Sequence, residues 1–210
     1  GKLRSALAGL LTLDDMARVR WTVLLLLGLR HAVAAVAGGS ELEALRLARI
    51  SILAAHAGCR VAPSPGRGLG VFATRSIEEF KRLGDYTGEI FDQRAFDARY
   101  GPHRRALELW TAADESWARR RARLGVGETG YYVFKVDDDI YIDAEDSSTG
   151  ACWTRYINHS DEPNLRARSI PVSMDGTPTV WFYALRDIAE GEELTYDYGE
   201  GFWGDDDLPV

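Results

Sequence analysis

Two short segments late in the chain combine residue types that can bind a ligand or support chemistry. Residues 155–164 read RYINHSDEPN, which places asparagine, histidine and serine in one loop that a proline closes. Residues 191–199 read GEELTYDYG, which ends a short predicted strand on two tyrosines separated by one aspartate. Neither pattern is typical of an ordinary strand or helix, so both segments are candidates for a functional site.

Three familiar functions do not explain the first segment. Asn158, His159 and Ser160 form an N-glycosylation acceptor, but nothing else in the sequence indicates secretion. His159, Ser160 and Asp161 are neighbours, so their side chains cannot face one another as base, nucleophile and orienting acid. The four histidines and two cysteines are scattered without the spacing of zinc ligands. A polar turn closed by Pro163 remains the plain alternative.

The composition describes an acidic chain that can fold around a core. Its 210 residues are 46% hydrophobic, with a formal net charge of -7 and an isoelectric point of about 5.2. This balance disfavours general nucleic-acid binding and suits a basic partner, although many soluble proteins are mildly acidic. Cys59 and Cys152 do not make a disulfide framework, which fits a reducing compartment. The apolar run at residues 21–37 contains Arg30 and His31, so we expect a buried helix there.

The first 58 residues differ in character from the rest and predict a helical hairpin. Alanine, leucine and arginine dominate at helical spacing, and Gly38-Gly39 divide the segment. Residues 40–43 read SELE, which is a capping box at the start of the second helix, and Gly58 is suited to end that helix. The chain opens on glycine and not on methionine, so we expect it to be a piece of a longer protein.

Short strands and turns dominate after this hairpin. The expected strands lie near residues 71–74, 85–90, 131–136, 140–143, 179–185 and 193–198. A helical insertion is expected at about 92–124, with Leu107, Trp110, Trp117 and Leu124 on one face. This order predicts a β-rich α+β domain over residues 59–204, followed by an acidic tail at 205–210.

Four motifs, in this order, resemble the signature motifs of the SET-domain family, the protein-lysine methyltransferases that use S-adenosylmethionine. They are a glycine loop at 66–68, YTG at 86–88, RYINHSDEPN and ELTYDYG, and the resemblance covers about residues 63–203. The strings look closest to the histone-lysine branch. The resemblance implies a SET fold in which RYINHS forms a knot-like loop, threaded by the C-terminal part of the chain. No Cys-x-Cys segment follows Tyr198, so we expect no zinc-bound cap and no metal.

The glycine-rich segment GRGLGVF at residues 66–72 allows two interpretations. A dinucleotide-binding loop needs a strand before it and a helix after it, whereas here prolines precede the glycines and a strand follows. A tight β-turn therefore remains one interpretation. The other follows the resemblance, in which this loop holds S-adenosylmethionine with its main chain, because Gly66 and Gly68 allow a flat ligand to approach closely.

The resemblance also implies which residues bind the cofactor. The glycine loop, one strand, the knot-like loop and an aromatic C-terminal segment each contribute. The cofactor-binding residues that it predicts are Gly66, Arg67, Gly68, Leu69, Tyr132, Arg155, Asn158, His159, Phe202 and Trp203. The product of methyl transfer would be S-adenosylhomocysteine.

The two tyrosines of the second segment share one face of a strand, because side chains two residues apart point the same way. Core packing is the ordinary explanation, whereas a methyl-transfer site uses aromatic walls to tolerate cationic groups and burial to favour a neutral lysine amine. By resemblance, Tyr198 is the catalytic tyrosine. Tyr196 lies where a hydroxyl limits successive methylations, which implies mainly mono- or di-methylation. Tyr86 and Phe134 are implied to line the lysine channel, with core packing an equal alternative for Phe134.

The predicted partner is a basic, lysine-containing peptide, and the resemblance favours a histone tail. A non-histone substrate and a catalytically weak module that only binds peptides remain alternatives. The basic run Arg119–Arg123 predicts either a solvated helix face or a weak contact with nucleosomal DNA. A histone substrate implies a nuclear location and another substrate a cytoplasmic one, with neither secretion nor a membrane partner expected. The sequence leaves the oligomeric state open.

Overall fold

The computed structural model describes residues 41–102, 104–106, 108–146 and 151–199. They form a β-rich α+β structure, which confirms the predicted fold class. By its internal contacts the chain separates into two compact units, Gly1–Arg49 and Ile50–Val210. The predicted first helix, the acidic tail, Phe202 and Trp203 lie outside the described residues. The domain limits at residues 58 and 204 stay predictions.

Ten strands of the described residues form two sheets. In chain order they are β1 Cys59–Ser64, β2 Gly68–Ala73, β3 Arg82–Asp85, β4 Glu89–Asp92, β5 Val133–Lys135, β6 Ile140–Asp143, β7 Asn158–His159, β8 Leu165–Ile170, β9 Thr179–Ala184 and β10 Glu193–Tyr196. The first sheet has the order β1-β2-β10-β8-β9-β3, and β7 also pairs with β10. The second sheet has the order β4-β6-β5.

Three α-helices and one short 3-10 helix complete the regular structure of the described residues. They are α1 Glu41–His56, α2 Gln93–Arg99, α3 Ala112–Leu124 and the 3-10 helix Trp153–Tyr156. α1 begins directly after Ser40 and ends before Gly58, whose φ is 78°. A left-handed glycine is a common end of a helix, so the predicted limits of this helix are confirmed. No described helix has both the length and the apolar character that a membrane crossing needs.

The first sheet contributes much of the core of the unit from Ile50 to Val210. The side chains that it buries almost completely include Val71, Val180, Phe182, Ala184 and Leu194. In β9 the buried residues alternate, because successive side chains of a strand point to opposite faces. The other face of β9 therefore carries Trp181 and Tyr183, which are half-buried.

The predicted helical insertion at 92–124 consists of two helices and not one. Pro102 interrupts it, because a proline inside a helix removes a hydrogen bond and clashes with the preceding turn. α3 then starts with a capping box at Thr111. The single helical face predicted from Leu107 to Leu124 is therefore wrong, since Trp110 precedes α3. Leu107 itself lies outside the described residues.

A buried arginine fixes α3 against the second sheet. The guanidinium of Arg121 pairs with Asp143 on β6 and, at 3.1 Å, with Glu145, and it donates to the Gly127 carbonyl at 2.5 Å. It also lies over the Trp117 ring, with 4.7 Å between Cζ and the ring centroid. The side chain is fully buried, and its charge is balanced by carboxylates from another part of the chain.

The basic run Arg119–Arg123 is therefore not one solvated face. Arg121 is buried, and Arg120 donates to Glu89 on β4 at 2.5 Å. The predicted face is wrong for Arg121, because its ion pair draws it inside the fold. Of the four arginines in the run, only Arg119 and Arg123 are exposed, and a weak contact with nucleosomal DNA through them stays a prediction.

Replacement of Arg121 by methionine is expected to destabilise the protein by about 3–5 kcal/mol, because Asp143 would stay buried without its partner. The matched control is Arg123→Met on the same helix, where the side chain is exposed and the change should cost less than about 0.5 kcal/mol. Urea unfolding followed by tryptophan fluorescence measures both variants. Equal stabilities would show that the buried pair does not hold α3 in place.

Candidate active site

β10 is held in the first sheet from two sides. It runs antiparallel to β2 and parallel to β7 and β8. The buried Asn164 donates to the Glu193 carbonyl at 2.7 Å and accepts from the Thr195 N–H at 2.9 Å. These bonds hold the loop before β8 beside β10. As a result, β10 lies between β2 on one side and the segment from β7 to β8 on the other.

The Glu193 carboxylate joins three chain segments. It accepts hydrogen bonds from the Ser64 hydroxyl at 3.1 Å and from the Arg67 guanidinium at 2.6 Å. It also accepts from the Asn158 amide at 2.8 Å, and that amide donates a second bond to the Leu69 carbonyl at 3.1 Å. A single carboxylate therefore sets the position of the glycine loop relative to Asn158.

Gly70 lies where these segments approach most closely, and it is absent from the residues that the sequence predicts. A Cβ there would collide with the Glu193 carboxylate and lie 3.0 Å from the Asn158 amide, so only glycine fits without a shift. Gly66 and Gly68 have φ values of 72° and 73°, and no described atom lies within 4 Å of a Cβ built at either. They shape the turn, whereas Gly70 permits the close approach. Its signal in the sequence is the third glycine of an alternating series.

His159 links the knot-like loop to the end of β10. Its Nδ1 accepts from the Tyr198 N–H at 3.2 Å, and the two rings meet edge to face with centroids 5.4 Å apart. Nε2 therefore carries the proton of the neutral ring and donates to Asp161 at 3.1 Å. The His159 carbonyl accepts from Arg67 at 3.2 Å, which brings the glycine loop to the same place.

Tyr86, Phe134, Phe182, Tyr196 and Tyr198 form one continuous cluster of rings, called the aromatic group below. Ring centroids are 5.3 Å apart for Tyr86 and Phe134, 4.9 Å for Phe182 and Tyr196, and 4.6 Å for Tyr196 and Tyr198. Four of these residues are among those that the sequence predicts. Phe182 is not, although the alternation of β9 places it on the buried face with the other four.

The tyrosine hydroxyls of the aromatic group stay protonated. Tyr198 donates to the Ile157 carbonyl at 2.8 Å, and Tyr86 donates to the Tyr132 carbonyl at 2.8 Å. Burial raises the pKa of Tyr198 to about 12 and the pKa values of Tyr86 and Tyr196 well above their usual range. None of the three phenols can therefore act as a base near neutral pH.

Arg155 and Tyr132 lie together beside the knot-like loop. Arg155 donates to the carbonyls of Ala144 and Glu145 at 2.6 and 2.9 Å. Its Cζ lies 4.6 Å from the centroid of the Tyr132 ring. The guanidinium thus fastens the segment after β6 to Tyr132, which gives Arg155 a supporting position in the fold.

A metal centre is not apparent in the described part of the chain. No group of three or more histidine, cysteine, aspartate or glutamate side chains there could hold a metal ion. Cys59 and Cys152 are free and buried, and burial raises the pKa of Cys59 to about 11. A buried, protonated thiol such as that of Cys59 is a poor nucleophile.

A cavity of about 450 Å³ opens elsewhere, between the end of α1 and β3. Its lining includes Leu53, His56, Leu83, Asp85 and Trp153. None of the predicted site residues lines it, so this cavity is not part of the candidate active site.

Comparison with known protein families identifies the family of the segment that contains the candidate active site. Residues 68–199 match the SET domain, and this range includes the aromatic group, the knot-like loop and Gly68 of the glycine loop. The chain therefore belongs to the SET-domain family, whose methyltransferases in general use S-adenosylmethionine.

Several curated proteins are similar to the same region of the chain. "Histone-lysine N-methyltransferase, H3 lysine-4 specific" of Schizosaccharomyces pombe is 37% identical over 136 residues, which are 65% of this chain and 12% of that protein. The protein of the same name from Emericella nidulans is 35% identical over 149 residues, or 70% of this chain and 10% of that protein. The "Variant-silencing SET domain-containing protein" of Plasmodium falciparum is 30% identical over 135 residues, or 64% and 4%. The chain thus spans roughly an eighth or less of the length of these relatives.

Glu192, next to the start of β10, makes the stability of the folded state depend on pH. Arg186 donates to its carboxylate at 2.5 Å and Asn164 at 2.9 Å, and these bonds lower the pKa of Glu192 to about 2. A carboxyl whose pKa is depressed by folding stabilises the folded state above its unfolded pKa of about 4.5. This contribution is lost as the pH falls from there to about 2.

We therefore expect Glu192→Gln to lower the free energy of unfolding at about pH 7, with a difference from the wild type that shrinks between about pH 4.5 and pH 2. Glu190→Gln, an exposed neighbour on the same turn, is the matched control and should follow the wild type. Urea unfolding across this pH range measures all three proteins. A difference that persists undiminished at about pH 2 would contradict the assigned pKa.

Proposed function

We propose that this chain is a protein-lysine N-methyltransferase that uses S-adenosylmethionine and acts on a basic peptide, with a histone tail as its substrate. The observation that carries the proposal is the position of the aromatic group. The strand β10 bonds the glycine loop through Glu193 and ends at Tyr196, whose ring contacts that of Tyr198 two residues further on. A cofactor site and a lysine channel would therefore meet at Tyr198. Membership of the SET-domain family supports the same conclusion.

The residues around the glycine loop suit this cofactor. The main chain at Gly66 and Gly68 is exposed and unobstructed by described atoms, and the Asn158 amide is oriented by Glu193. When bound, S-adenosylmethionine supplies an electrophilic methyl group and leaves as S-adenosylhomocysteine. The residues proposed to hold it are Gly66, Arg67, Gly68, Leu69, Tyr132, Arg155, Asn158, His159, Phe202 and Trp203.

The aromatic group suits a lysine side chain, with Tyr86 and Phe134 proposed as walls of the channel. Aromatic faces attract a cationic amine, while burial among them lowers its pKa and favours the neutral, nucleophilic form. The Tyr198 hydroxyl donates to the Ile157 carbonyl and keeps its own proton, so it cannot remove a proton from the amine. Tyr198 is therefore proposed to orient the reacting groups, and the proton leaves to water.

The proposed substrate class rests on the relatives and on charge. Two of the relatives are named as specific for lysine 4 of histone H3. A net charge of -7 suits a tail rich in lysine and arginine. We therefore propose the histone H3 tail as the substrate, with lysine 4 as the first position to test, and the nucleus as the location.

Transfer of labelled methyl groups from S-adenosylmethionine to core histones tests the function. The wild-type protein should label histone H3, and Tyr198→Phe should lower kcat by about 100-fold or more, the usual effect of removing one polar group at a reacting centre. Tyr183→Phe is the matched control, because its side chain lies on the opposite face of β9 from the aromatic group. It should retain the wild-type rate.

The possible results of this assay separate the alternatives. Label on another basic protein, lost in Tyr198→Phe, would retain lysine methylation and replace the histone substrate. Cofactor binding without any label on histones or other basic proteins would favour a module that only binds peptides. Equal rates for Tyr198→Phe and the wild type would contradict the role of Tyr198.

Tyr196 is proposed to limit the number of methyl groups added to one lysine. It is buried and packs between Phe182 and Tyr198, so its hydroxyl takes up space beside the proposed channel. We expect the wild type to form mainly mono- and di-methyl-lysine, and Tyr196→Phe to shift the products towards tri-methyl-lysine. Mass spectrometry of the modified peptide measures the ratio. A product ratio that does not change in this variant would contradict the proposed role.

A further inference from the structure

The outer face of the first sheet carries a basic and aromatic surface that the proposed reaction does not use. β3, β9 and β8 lie side by side, with β9 in the middle. Their register and alternation bring five basic and aromatic side chains to one face, called the arginine–aromatic face below, and Asp85 lies opposite Trp181 on the same face. Its members are Arg82, Arg166, Arg168, Trp181 and Tyr183.

The strand register places the arginines directly beside the rings. Across β8 and β9, Arg166 is opposite Tyr183 and Arg168 is opposite Trp181. From β3, Arg82 is opposite Tyr183 and its Cζ lies 5.0 Å from the centroid of the Trp181 ring. Directly opposite side chains have Cβ atoms about 5 Å apart, so three cations border two flat rings.

This face is separate from the candidate active site. Phe182 lies between Trp181 and Tyr183 in the chain and therefore points to the other side of the sheet. There it contacts Tyr86 and Tyr196 of the aromatic group. A ligand on the arginine–aromatic face would leave the proposed lysine channel uncovered.

The positive charge of this face favours an anionic partner. Arg166 and Arg168 are exposed, and among the described residues only Arg82 of this face forms an ion pair, with Asp85 at 2.7 Å. Two arginines without a carboxylate partner stand out in a chain whose net charge is -7. They create a local positive potential against an acidic background.

An additional exposed ring lies at the end of β9. Phe80 is 71% exposed, and its N–H donates to the Ala184 carbonyl at 2.9 Å. Its φ of 62° is uncommon for a bulky residue, so the fold holds this aromatic side chain at a cost.

Flat rings beside arginines suit a nucleic acid better than other anionic ligands. Unpaired bases stack on aromatic rings and guanidinium planes while their phosphates pair with arginines. A duplex keeps its base faces covered, and an acidic peptide or a phospholipid has no bases to stack. RNA exposes single-stranded bases far more often than DNA does, so RNA is the favoured source.

We propose that the arginine–aromatic face binds single-stranded RNA. Arg166 and Arg168 pair with phosphates, Tyr183 stacks on one base, and the Arg82 guanidinium, which lies over the Trp181 ring, stacks on another. This site is independent of methyl transfer, since it lies on the opposite side of β9 from the aromatic group.

Fluorescence anisotropy with a labelled oligouridine of about 20 nucleotides tests the charge contribution. The wild type should bind at about 0.1 M salt, and Arg166→Gln with Arg168→Gln should weaken binding by about tenfold or more. The slope of log affinity against log salt should become shallower by about 0.7 for each arginine removed. The control, Arg119→Gln with Arg123→Gln, removes the same charge from the exposed ends of the basic run on α3 and should bind like the wild type.

A second pair of variants tests stacking. Tyr183→Leu should weaken binding by about tenfold, because one stacked base contributes about 1–3 kcal/mol. Tyr183→Phe keeps the ring and should retain the wild-type affinity. Urea unfolding midpoints close to that of the wild type show that these variants are folded, without reference to methyl transfer.

Several results would contradict the proposed RNA-binding site. Equal losses in the two pairs of arginine variants would indicate diffuse attraction to the whole protein. Equal affinities of Tyr183→Leu and Tyr183→Phe for oligouridine would contradict stacking of a base on the Tyr183 ring. Tighter binding of a duplex, of oligothymidine DNA or of an acidic peptide than of oligouridine would replace the proposed ligand, and no binding of oligouridine would refute it.

Discussion

The candidate site depends on how β10 is held between the glycine loop and the knot-like loop. The Glu193 side chain bonds Arg67 and Asn158 on one side, while Asn164 bonds the main chain of the same strand on the other. The bond from Asn158 to the carboxylate contributes about 1.5–3 kcal/mol, whereas the Arg67 pair contributes less because water screens a guanidinium that is 44% exposed. Because both sets of bonds act on β10, they also fix the positions of Tyr196 at its end and of Tyr198 two residues later.

The aromatic group is the place where the two sheets meet. Phe134 comes from β5 of the second sheet, while Phe182 and Tyr196 come from β9 and β10 of the first. The second sheet is fastened in turn by Arg121, whose buried charge joins α3 to Asp143 on β6. A buried ion pair is costly to form and costly to break, so this pair defines the position of the insertion more than it adds net stability.

Local patterns in the sequence predict much of the fold, because alternation, capping boxes and glycines act over a few residues. The limits of α1, the strands β2, β5, β6, β9 and β10 and four members of the aromatic group follow from such patterns or from motifs. The strands β1, β7 and β8 were not predicted, the one strand expected at 85–90 is divided between β3 and β4, and β10 ends at Tyr196 and not at Tyr198. Gly70 and Phe182 do not, because their importance depends on partners far along the chain. The burial of Arg121 could not be predicted for the same reason, because its partner Asp143 is 22 residues away. The arginines on either side of Arg121 are typical of an exposed helix face.

We propose that the glycine loop and the aromatic group form adjoining halves of one methyl-transfer site. A crystal structure of the chain with S-adenosylhomocysteine and a histone H3 peptide tests it most directly. We expect the sulfur atom beside the Tyr198 hydroxyl, with the lysine nitrogen among the rings of the aromatic group and aligned with the sulfur. A product molecule bound away from the glycine loop, or a lysine side chain outside the aromatic group, would contradict it.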